Sequence, residues 1–98
     1  LNNKRPSPLV VSKMKFEDIN FDSHPSFPKG IQAWVKLDNG IEVSVIKGGH
    51  SYGSEKGLYE IGVFKNGIMC DPLGWGDEVK GYLSPAGVER ELVLLSAV

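Results

Sequence analysis

The chain has 98 residues, 41% of them apolar and 23% charged, and a net charge of −1. This length holds one domain with one modest core, and the apolar content argues against a disordered chain. Near-neutrality removes the phosphate-neutralising drive on which general nucleic-acid binding depends.

Cys70 is the only cysteine, which excludes an intrachain disulfide. Small secreted domains usually rely on such staples, so a cytoplasmic location is expected. No apolar run nears the ~18 residues of a membrane helix. Charge is uneven: residues 1–57 carry eight Lys/Arg and six Asp/Glu, and residues 58–98 carry three and six. Any basic patch is therefore small.

Residues 1–13 contain Pro6 and Pro8 and lack lasting periodicity. Met14 reads as the natural start, which makes residues 1–13 a tail and 14–98 the single domain. The alternative is an arm that docks on a neighbour through Leu9, Val10 and Val11. The stretch 15–22 (KFEDINFD) reads as an edge strand or extended segment, and 23–30, with Pro25, Pro28 and Gly30, as a loop.

Residues 31–37 (IQAWVKL) and 41–47 (IEVSVIK) carry the strongest pattern, separated by Asp38-Asn39-Gly40. A two-residue Asn-Gly turn would pair Leu37 with Glu42 and mix the faces. A three-residue loop with Gly40 in the left-handed conformation pairs Leu37 with Ile41, Val35 with Val43 and Ala33 with Val45. That register gathers the apolar side chains on one face. It leaves Lys36 opposite Glu42, Trp34 opposite Ser44 and Gln32 opposite Ile46 on the other.

Residues 48–57 (GGHSYGSEKG) form a glycine-rich connection to a third strand over 58–65. Asn66-Gly67 then turns the chain into a short fourth strand over 68–71. Pro72, Gly74 and Gly76 break the sheet, and the stretch 77–83 reads as holding one helical turn. Ser84 is a fitting N-cap with Pro85 at the first helical position. Val88, Leu92 and Leu95 follow helical spacing, and Glu89, Arg90 and Glu91 are assigned to the solvent side. The predicted fold is α+β: an antiparallel sheet of about four strands with a C-terminal helix packed on one face.

His24, His50, Cys70 and Asp71 are the residue types that nucleophilic or metal chemistry uses, but their spacing matches no zinc pattern. They read as two loop histidines and a half-buried strand thiol. The pairs Asp77/Glu78 and Glu89/Glu91 read as solvated charge. No catalytic residue, metal ligand or cofactor is implied.

Two candidate sites remain. The first is a protein interface formed by Trp34, Gln32, Ser44 and Ile46, because tryptophan is over-represented among interface hot spots. The alternative for Trp34 is cover by Trp75 or by the N-terminal segment. The second is a loop site of Gly49, His50, Ser51, Tyr52 and Lys56, with Trp75 as a stacking surface. Glycine-rich backbone there could direct N–H groups at a nucleotide-like anion. The loop is no P-loop, because the Gly-Lys-Ser/Thr ending and the following helix are absent. The plain structural readings are a mobile crossover for the loop and a core plug for Trp75.

Short motifs in 14–84 add a resemblance. They are Asp38-Asn39-Gly40, Ser51-Tyr52-Gly53, Gly57-Leu58-Tyr59-Glu60-Ile61 and Asp77-Glu78-Val79-Lys80-Gly81-Tyr82-Leu83-Ser84. In them the chain resembles small, uncharacterised accessory proteins encoded by bacteriophages and prophages. The resemblance implies a host-cytosol location and an accessory role, such as blocking a host defence protein or sequestering its nucleotide signal. It supplies no catalytic residues. Nucleotide-sequestering proteins of this kind tend to use arginines, and this chain has only Arg5 and Arg90.

The leading functional expectation is a non-enzymatic binding protein whose partner is a host protein or a second copy of the chain. A small-ligand-binding oligomer comes second. A small hydrolase or nuclease using His50 and a nearby carboxylate comes third, since no base, orienting group and nucleophile stand at readable spacing.

Overall fold

The structure, a computed structural model, describes residues 15–98. The start at Met14 and the arm of residues 1–13 lie outside the described residues. The chain opens with a 3-10 turn, Phe16–Asp18, followed by strand β1 (Asp22–Ser23). Strands β2 (Ile31–Lys36), β3 (Ile41–Lys47), β4 (Tyr59–Lys65), β5 (Ile68–Met69) and β6 (Val79–Leu83) follow, and helix α1 (Pro85–Ser96) ends the order.

All pairings are antiparallel, in the order β1-β2-β3-β4-β5, and β6 also pairs with β4. Strands β5 and β6 share one edge of β4. β5 takes the Phe64–Lys65 end and β6 takes the Tyr59–Gly62 end. The sheet thus has six strands where the sequence suggested about four. The extra two are the two-residue β1 and the irregular β6.

The β2–β3 register is the expected one: Ala33 faces Val45, Trp34 faces Ser44, Val35 faces Val43. Gly40 sits at φ 86°, and Leu37 exchanges main-chain hydrogen bonds with Gly40 and Ile41 at 3.1 and 2.8 Å. This is a tight turn closed by a left-handed glycine, which a side chain at Gly40 would strain. Asn66 and Gly67 both take positive φ, as a two-residue hairpin requires.

Two expectations need correction. The stretch 15–22 joins the edge strand only at Asp22, and it begins as the 3-10 turn Phe16–Asp18. Phe16 and Ile19 turn inward instead, and Phe16 packs on Phe21 and Tyr59 at ring-centroid distances of 5.6 and 4.9 Å. The stretch 77–83 is not helical. It is β6, disguised by a bulge that places Gly81 and Tyr82 opposite the single residue Glu60.

The core lies between the inner face of the sheet and α1. Ala33, Val35, Ile41, Val43, Val45, Ile61 and Val63 meet Val88, Leu92 and Leu95. Burying each of the three helix side chains is worth roughly 1.5–3 kcal/mol. Ser84 caps the helix, its hydroxyl accepting from Gly87 N–H at 3.0 Å. Glu91 corrects the expected solvent face, because it is buried on the core side. Glu89 is half-buried and accepts from the Phe16 N–H.

Candidate functional site

No described helix packs on the face of the sheet turned away from α1, and the crossover loop reaches it at Glu60. Its central row runs Trp34, Ser44, Gly62, Val79 across β2, β3, β4 and β6. The next row runs Lys36, Glu42, Phe64, Met69. On the other side stand Gln32, Ile46 and Glu60.

Trp34 is 55% exposed and lies edge-on to Phe64, with ring centroids 5.2 Å apart. Gly62 carries no side chain, so Met69, Val79 and Phe64 close in over its backbone. A Cβ placed there would stand 3.4, 3.6 and 3.7 Å from their tips. The result is one contiguous apolar patch of Trp34, Phe64, Met69 and Val79 on a face that also carries Gln32, Lys36, Glu42, Ile46 and Glu60.

Gln32, Trp34, Ser44 and Ile46 therefore share this face. Ser44 is buried within it, its hydroxyl accepting from the Gln32 side-chain amide at 2.9 Å. Trp75 does not cover Trp34, because it packs against the core cluster on the helix side. The sequence reading omitted Phe64, Met69 and Val79. A signal for them was present: an isolated glycine inside a strong strand marks close approach from neighbours.

The six residues of the loop site do not converge. Gly49, His50, Ser51 and Tyr52 line a cleft of about 430 Å³ together with Ser54, Glu55 and Tyr82. Lys56 lies outside that lining, and Trp75 lines a separate groove. The loop is held by hydrogen bonds: Gly48 N–H to the Ser51 hydroxyl at 3.1 Å, Tyr52 N–H to the Glu60 carboxylate at 2.7 Å, and Tyr82 N–H to the Tyr52 carbonyl at 3.1 Å. Gly81 allows that last approach, since a Cβ there would overlap Tyr52. Tyr52 and Tyr82 are both more than half exposed.

His24 and Asp71 have local partners, and Cys70 is a half-buried free thiol. His24 Nδ1 accepts from the N–H groups of Ser26 and Phe27 at 3.0 and 3.3 Å. The Asp71 carboxylate accepts from Trp75 and Gly76 at 2.8 and 2.9 Å. Among the described residues, no group of three or more His, Cys, Asp or Glu is placed to hold a metal ion, and no helix is long and apolar enough to cross a membrane.

No family model, no curated protein and no solved structure matches this chain.

Proposed function

We propose that the protein is a non-enzymatic binding protein that docks another protein on the outer face of its sheet. The observation that carries this reading is the patch of Trp34, Phe64, Met69 and Val79. It is apolar and contiguous, with a half-exposed tryptophan at one end and the Lys36/Glu42 pair at its border. Aromatic anchors beside a polar rim are the usual anatomy of an interface hot spot. On the phage resemblance, the partner is a host or defence protein in the bacterial cytosol.

The nucleotide-like reading of the loop is weaker. The cleft lining carries one carboxylate, Glu55, and neither Lys nor Arg, which is the wrong charge for an anion. Hydrolysis using His50 is weaker still, since no described hydrogen bond orients that imidazole on a carboxylate.

The test compares capture from bacterial lysate by the wild-type chain, Trp34→Ala, Met69→Glu and His50→Ala, with each fold checked by circular dichroism. The expected result is a bound protein lost in the first two variants and kept in the third. Sedimentation of the same set reports self-association through the same face. Capture and sedimentation unaffected by both patch variants would overturn the reading.

A further inference from the structure

A second surface lies on the opposite side of the sheet, between α1 and the chain preceding β6. It is a groove of about 540 Å³ with apolar walls from Leu73, Trp75, Leu83 and Leu94. Such a volume suits a small molecule. Trp75 is fixed in place by the Asp71 carboxylate, which takes the N–H groups of Trp75 and Gly76.

The polar groups of the groove are few and unequal. The Glu91 side chain is only 7% exposed and pairs with Lys80 Nζ at 2.8 Å. That ammonium also lies 5.8 Å from the centroid of the Trp75 ring. Lys80 and Glu91 therefore neutralise each other and brace one wall. Arg90, also in the lining, is exposed and has no carboxylate within ion-pair distance among the described residues. The groove thus presents an indole, three leucines and one uncompensated guanidinium.

We infer that this groove binds a small monocarboxylate with an apolar body. The body lies between Trp75 and Leu94, and the carboxylate meets Arg90, whose planar fork suits carboxylate geometry. A cationic ligand of the same shape is disfavoured, because the one acidic group of the groove is already held by Lys80. The site is independent of the protein-docking face around Trp34.

The test uses the full chain, labelled with ¹⁵N, and two probes of equal shape and opposite charge, phenylacetate and phenethylamine. Two-dimensional NMR resolves the indole N–H signals of Trp75 and Trp34 separately. Saturable movement of the Trp75 signal with phenylacetate alone is expected, with Trp34 still as internal control. Arg90→Gln, a change at an exposed position, should weaken phenylacetate binding about tenfold or more. The inference is overturned if Trp75 shows no saturable movement, if the amine moves it equally, or if Arg90→Gln leaves the affinity unchanged.

Discussion

The side-chain amide of Asn39 donates to the main-chain carbonyl of Leu95 at 2.9 Å, tying the tip of the β2–β3 hairpin to the last turn of α1. The same nitrogen reaches the carbonyl of Val98 at 3.2 Å, and Asn39 Oδ1 accepts from Ile41 N–H at 3.2 Å. Final carbonyls of a helix lack intrahelical partners. Asn39 supplies a donor to them from across the fold. Asn39→Ala should cost about 1–2 kcal/mol in urea unfolding. Asn39→Asp should cost at least as much, since it keeps the acceptor but sets a negative charge at the negative end of the helix. Amide exchange in the last turn of α1 should quicken in both.

The Lys80–Glu91 pair should respond asymmetrically. Lys80 is 41% exposed and Glu91 is 7% exposed. Glu91→Gln leaves an ammonium that water can solvate, for a cost of about 1 kcal/mol. Lys80→Ala strands a buried carboxylate and should cost about 2 kcal/mol or more. The double change Lys80→Met with Glu91→Leu should recover most of that loss. Equal single-variant costs in chemical unfolding would contradict this account.

Two glycines should behave in opposite ways. Gly62→Ala adds a methyl at ordinary contact distance from Met69, Val79 and Phe64 in unstrained strand backbone. It should be neutral or stabilising by up to about 1 kcal/mol. Gly81→Ala drives a methyl into Tyr52 and should cost about 1–3 kcal/mol, loosening the crossover loop from β6. Thermal unfolding of the two variants separates them directly.

Trp34 and Phe64 should be coupled but dispensable for folding. Their edge-to-face contact predicts an interaction energy of about 0.5–1.5 kcal/mol in a double-mutant cycle of Trp34→Ala and Phe64→Ala. Each single variant should still fold, because neither side chain belongs to the buried core. A cycle energy near zero would mean that the two rings act separately.

The hairpin was legible in the sequence because only one register places Ala33, Val35 and Leu37 against Val45, Val43 and Ile41. The helix was legible because its cap and its apolar spacing agree. Glu91 was assigned to water on its charge, although it lies three residues from Val88 and four from Leu95, on the core stripe. Strand β6 escaped notice for two reasons. Its bulge breaks the two-residue alternation, and Lys80 occupies an inward position that ordinarily announces an apolar side chain. The patch was half legible. Trp34 stood out as a large residue on a polar face, but Met69 and Val79 join it only because β5 and β6 share one edge of β4, a pairing that local sequence does not encode.

Strand β1 covers only Ile31 and Gln32 of β2, so the run Ala33–Lys36 has no strand partner on that side among the described residues. Such a margin is a template on which further chains can stack, and its hazard grows where an aromatic stands beside it. Lys36, charged and exposed near the end of the run, is the gatekeeper placed to discourage that growth. Replacing it with an apolar residue would leave the native contacts of the monomer nearly untouched. The damage would appear as fibrillar or amorphous aggregate at high concentration, a cost borne between molecules and not within the fold.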